Sequence, residues 1–161
     1  MTDETATSLP TRSGSRPTTA LTMPHQQLDQ TPPVALQEEL WRRMTGLKGV
    51  RAGQSNVSLP ETRALHLDQD IAHGPANAYM VGTEFAHLHG ARDGSLHAML
   101  PAETVAEAIS KGWAESHPLA SRGIAPPTLV MLFGPRDEAE LETIWQLILI
   151  SYGFARGPSE S

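Results

Sequence analysis

The chain has 161 residues, with 12 Lys and Arg against 18 Asp and Glu, a net charge of −6 and no cysteine. One core is expected at this length. Disulfides, Cys-ligated zinc, iron–sulfur clusters and thiolate catalysis are excluded, and the acidic balance points away from nucleic acid as a partner. No run approaches the roughly 20 apolar residues of a membrane span, so a cytoplasmic protein with no membrane partner is expected.

In chain order, residues 1–33 come first. Sixteen of these residues are Thr, Ser or Pro and none is aromatic, so a disordered tail is the expectation. A single domain over 34–156 follows, and 157–161 read as a frayed end. Leu36, Leu40, Met44 and Leu47 recur at helical spacing after Thr31-Pro32, and Gly46 and Gly49 end that helix. Arg63–Leu67 and Ala78–Val81 read as short strands. Glu84–His89 and Ser95–Leu100 alternate around a five-residue loop, the pattern of a hairpin. Ala102–Lys111 reads as a helix closed by Gly112, Leu129–Phe133 as a buried strand, and Asp137 with Glu140 as the start of a last helix. The order α-β-β-β-β-α-β-α predicts an α+β fold, a mostly antiparallel sheet with helices packed on it.

Seven histidines stand out in a chain with so few cations. In the hairpin, period-two alternation puts His87 and His89 on one face. Closing the loop places His89 opposite Ser95 and His87 opposite His97. Phe85, His87, His89, Ser95, His97 and Met99 then share one face, while Ala86, Leu88, Leu96, Ala98 and Leu100 form an apolar face for the core. Glu84 is expected to point to the face opposite the histidines. Three imidazoles this close admit a metal site at His87, His89 and His97, a pocket without metal, a solvent-facing polar patch, or histidines hydrogen-bonded beneath a loop. The H-x-H resembles the cupin pattern but lacks its following Glu; Ala91, Arg92 and Asp93 stand there.

The second cluster is Gly112-Trp113-Ala114-Glu115-Ser116-His117-Pro118. A Glu near a His orients the imidazole and raises its basicity; alternatively Trp113 covers the core edge while Glu115 and His117 face water. Arg136, between a buried strand and the last helix, is placed to meet an anionic group or to pair with an acidic neighbour. His66 and His73 belong to no spaced pattern, and His25 lies in the expected tail. No G-x-S-x-G, Walker, H-E-x-x-H or dinucleotide-binding motif is present.

The segments Glu84–His89, Asp93–His97, Gly112–Pro118 and Gly134–Asp137 resemble, in that order, the luciferase-domain family, which includes the luciferase of bioluminescent fungi. The resemblance runs from about Glu84 to Tyr152 and more loosely back to Leu36. It implies an oxidoreductase, a small oxygenase without an organic cofactor. The fungal members oxidise a hispidin-derived hydroxypyrone with O₂, through a peroxide that loses CO₂ and emits light. Carried over by position, His87, His89, His97, Glu115 and His117 become candidates to bind and deprotonate a phenolic or enolic small molecule. Arg136, Trp113 and Ser95 become candidates to hold it. The polar N-terminal stretch differs from the membrane-anchoring helix expected of the fungal luciferases, so light emission itself is not expected. An acid–base enzyme, a small-molecule-binding domain without turnover and a His-ligated transition-metal site remain alternatives.

Overall fold

A computed structural model describes residues 8–158. A two-residue pair, β1 (Thr19–Ala20) and β2 (Gln26–Gln27), precedes helix α1 (Val34–Thr45). Strands β3 (Val50–Gln54), β4 (Arg63–Leu67), β5 (Glu84–Leu88) and β6 (Leu96–Met99) follow, then α2 (Ala102–Ser110). The chain closes with β7 (Ala114–Ser116), the single turn α3 (Pro118–Ser121), β8 (Leu129–Leu132) and α4 (Glu138–Arg156). The fold is α+β. Its main sheet has the order β3-β4-β5-β6-β8-β7, with every neighbouring pair antiparallel.

Helices α1 and α4 cover one face. Leu65, Ala86, Leu88, Leu96, Ala98, Val130 and Leu132 from the strands are fully buried with Leu40 and Met44 of α1 and Ile144, Leu147 and Ile148 of α4. Alternation sends the next residues to the other face, where Ala64, His87, His97, Met131 and Glu115 stand in register across five strands. The expected hairpin register holds: His87 pairs with His97, and His89 N–H donates to the Ser95 carbonyl at 2.9 Å.

Three expectations need correction. Ala78–Val81 is not a strand. Residues 76–78 form a helical turn, and the chain reverses at Gly82, whose φ of +60° suits glycine. The fourth strand is instead Val50–Gln54, an edge strand with a mostly exposed, polar sequence that carries no apolar alternation. The expected tail does not describe residues 8–33. Leu9 and His25 are buried, Arg12 N–H donates to the Lys111 carbonyl at 2.9 Å, and Trp113 Nε1 donates to the Pro10 carbonyl at 2.6 Å. This segment lies on the histidine face, held by hydrogen bonds that composition does not reveal. Residues 1–7 and 159–161, part of the expected tail and frayed end, lie outside the described residues.

A β-bulge sets the side-chain directions on β5. Leu65 pairs with Ala86 but His66 pairs with Glu84, which leaves Phe85 as the extra residue. Beyond it the parity inverts. Phe85 therefore enters the core, fully buried against Tyr152, and Glu84 turns to the histidine face. Both placements reverse the expectation from strict alternation.

Candidate functional site

The histidine face opens on a cavity of about 1140 Å³ whose lining includes His25, His87, His89, His97 and His117. All five are buried, with 2–5% of their surface exposed, so the reading of a solvent-facing patch does not describe them. His87 and His97 come from adjacent strands, His89 from the end of β5, and His117 from the start of α3. His25 arrives from the N-terminal segment, just before β2.

The rings form one connected array. His87 Nε2 lies 3.0 Å and His89 Nε2 3.1 Å from His97 Nδ1, and His97 Nε2 lies 2.9 Å from His25 Nδ1. Carboxylates hold the outer ends. Glu84 accepts from His87 Nδ1 at 2.8 Å, and Glu115 accepts from His25 Nε2 at 2.7 Å. His89 Nδ1 lies 2.9 Å from Ser95 Oγ and 3.2 Å from Asp93 Oδ2, and Ser95 Oγ–H donates to Asp93. His117 differs: its Nδ1 accepts the Leu119 N–H at 3.0 Å, which caps α3 and leaves the ring proton on Nε2.

Burial and mutual repulsion set the protonation. Burial lowers the pKa of His87, against the opposing bond to Glu84. Burial and the four neighbouring imidazoles take His97 well below its ordinary value, and burial lowers His117 to about 4. Burial also works against the carboxylates, but the bonds they accept outweigh it and hold Glu84, Asp93 and Glu115 below the usual range. At neutral pH the site thus presents neutral His87, His97 and His117 beside ionised carboxylates. Such rings can take a proton from a substrate or hold a cation. Among the described residues, two groups, His87–His89–His97 and His25–His97–His117, are close enough for a metal.

The other expected residues sit apart from the cavity wall. Ser95 orients His89. Trp113 is buried in the core cluster with its N–H given to Pro10. Arg136 is committed to Glu140, with Nε 3.1 Å from both carboxylate oxygens, and its Nη2 reaches the Ser13 carbonyl at 2.7 Å. It clamps the N-terminal segment, because Glu140 lies one helical turn on and satisfies its charge locally. Glu115 acts through His25, also accepting from Thr19 Oγ1 at 2.8 Å.

His25 was missed because it lies among Thr, Ser and Pro, far in sequence from the other histidines. Glu84 was misplaced because a bulge leaves no mark in hydrophobic alternation. The one available signal was numerical: a Glu three residues before a strand His reaches it only across a bulge.

Residues 82–151 match the family model described as Luciferase domain. A luciferase of Armillaria gallica is 33% identical over 163 residues, covering 91% of this chain and 60% of the relative. One of Neonothopanus nambi is 38% identical over 73 residues, covering 44% of this chain and 27% of the relative. The chain thus spans about 60% of the length of the Armillaria gallica relative. No solved structure matches it. Four ordered motifs, the domain match over residues 82–151 and relatives aligned along most of this chain's length support a luciferase-domain family for it.

Proposed function

We propose that the histidine cavity binds an aromatic or enolic small molecule and promotes its oxidation by O₂. The observation that carries this reading is the set of carboxylate-backed imidazoles on the wall of a cavity of about 1140 Å³. That volume slightly exceeds the range of about 300–1,000 Å³ common for small-molecule sites, leaving room for a bicyclic substrate and O₂.

The chemistry follows from the lone pairs. His87 and His89 each direct Nδ1 at a carboxylate-bearing partner, so Nε2 is the basic atom, and the carboxylate steadies the imidazolium that forms. A substrate O–H gives its proton to one of these nitrogens. The resulting enolate forms a carbon–oxygen bond with O₂, and the returned proton completes a hydroperoxide, so substrate and O₂ are fully accounted for in the product. His117 serves as a donor: with Nδ1 taken by Leu119 N–H, its Nε2–H is available to a substrate oxygen.

The test is oxygen uptake with a panel of hydroxypyrones and catechols. Wild type should consume O₂ with at least one member. His87→Ala, verified as folded by circular dichroism, should be slower by about 10² or more, the usual worth of a positioned base. Binding without uptake by wild type, or equal rates in the two proteins, overturns the enzymatic reading.

A further inference from the structure

The hydrogen bonds of the cluster leave an imbalance at its centre. A neutral imidazole carries one proton. His87 uses its proton on Glu84, and His89 uses its proton on the Ser95–Asp93 pair. With His25 Nε2–H given to Glu115, its Nδ1 lies 2.9 Å from His97 Nε2 and accepts from His97 Nε2–H. Three nitrogens then face inward as lone pairs: His87 Nε2, His89 Nε2 and His97 Nδ1. They are nevertheless only 3.0 and 3.1 Å apart along the two contacts to His97. Lone pairs converge in this way around a cation.

The geometry points to a three-nitrogen site for a divalent first-row transition metal, formed by His87 Nε2, His89 Nε2 and His97 Nδ1. Nitrogens about 2.1 Å from a tetrahedral ion lie about 3.4 Å from one another, so along the two contacts to His97 the rings need to part by only a few tenths of an ångström. The outer shell is that of a metal site, with the second nitrogen of each ligand held by a carboxylate directly, through a hydroxyl or through another imidazole. Imidazole donors without thiolate suit zinc, iron, copper or nickel. All three ligands line the cavity, so a fourth position faces the space for substrate. The inference rests on the oxidation reading of this cavity for what the metal is used for, and it reassigns the base: with Nε2 of His87 and His89 given to the ion, the charge of the cation beside the substrate O–H, rather than a free imidazole lone pair, would favour its ionisation.

The second histidine group does not make such a site. His117 Nδ1 accepts from the Leu119 backbone, so its neutral ring carries the proton on Nε2. His25 Nδ1 and His97 Nε2 are already one hydrogen bond. That group is a chain of donors and acceptors, while the first is a convergence of acceptors.

One added proton on the His25–His97 pair would satisfy the inner contacts without a metal, so the experiment reads the metal itself. Full-length protein without a polyhistidine tag is stripped with EDTA and titrated with Co²⁺, followed by visible absorption, and separately with Zn²⁺, followed by elemental analysis after gel filtration. The expected result is about one equivalent of each ion and d–d bands from Co²⁺. His97→Ala should abolish binding, and Glu84→Gln should weaken it about 10–100-fold. His117→Ala should change it by less than about threefold. Should His97→Ala fail to fold, Glu84→Gln and the wild-type spectrum still decide. Absence of saturable binding by folded wild type at about 1 mM ion overturns the site, as does unchanged binding in a folded His97→Ala. Oxygen uptake is then measured on stripped and loaded protein. Uptake by stripped protein equal to that of loaded protein overturns the metal's part and leaves the oxidation. One equivalent bound with no uptake in either form leaves the site and overturns the oxidation.

Discussion

The Glu84 carboxylate is fully buried, and burial alone favours its neutral form. Three donors reverse that preference: His87 Nδ1–H, Asn56 N–H at 2.9 Å and Ser55 Oγ–H at 2.7 Å. Glu84→Ala strands all three, and each buried orphan costs about 1–3 kcal/mol. The variant should lose about 3 kcal/mol or more in chemical denaturation; a loss below about 1 kcal/mol would show that Glu84 is not the anchor of His87. His117 carries a separable part of the pH dependence, beside His87 and His97, whose pKa values burial also lowers. The folded pKa of His117, near 4, lies below the unfolded value of about 6.5. The unfolded chain therefore binds the proton first on acidification. The stability from keeping this ring neutral is complete above about pH 6.5 and declines as pH falls towards 4, at up to about 1.4 kcal/mol per pH unit. Denaturation of metal-free wild type and His117→Gln at several pH values checks this: the slope should be shallower in the variant, and identical slopes contradict it.

The hairpin was readable from sequence for a physical reason. Ala86, Leu88, Leu96 and Ala98 must face the core together, and a one-residue slip would expose all four. The bulge at Phe85 escaped because it inverts parity within a run that alternates equally well either way. The N-terminal segment escaped for another reason. Among the described residues before α1, the buried apolar side chains are those of Leu9, Pro17 and Pro32 alone, so composition reads as a tail, yet side chains and backbone of 8–33 bond across to distant elements. Arg16 Nη1 reaches the Ala114 carbonyl at 3.0 Å, and the Gly134 N–H donates to Gln27 Oε1 at 3.0 Å. Hydrogen–deuterium exchange tests this docking. The amides of Arg12 and Leu28, bonded to Lys111 and Thr18 carbonyls, should exchange at least about tenfold more slowly than free peptide. Exchange at the free-peptide rate would restore the tail.

At the scale of the molecule, one sheet separates two kinds of chemistry. Its helix side is apolar and carries stability; its other side carries five histidines under a polar segment. The α+β class was legible because helical and alternating patterns repeat clearly from Leu36 onward. The cavity was not, because its walls come from segments distant in sequence, Met23–Gln26 and Val57–Thr62 among them. The division predicts separable effects. Leu147→Ala removes a fully buried side chain of α4 and should cost about 2–5 kcal/mol, while one equivalent of Co²⁺ still binds to the folded protein. Loss of binding in that folded variant would show that the two faces are coupled.

The central claim is that carboxylate-bearing partners hold the outer nitrogens of His87 and His89 and so aim their Nε2 lone pairs at His97. Long-range ¹H–¹⁵N spectra of ring-labelled, metal-free protein at neutral pH read this directly. The Nδ1–H tautomer is expected for both His87 and His89, with unprotonated Nε2. Nε2–H on either ring would contradict it, because that proton would point at His97 and leave no converging lone pairs for a substrate proton or a metal.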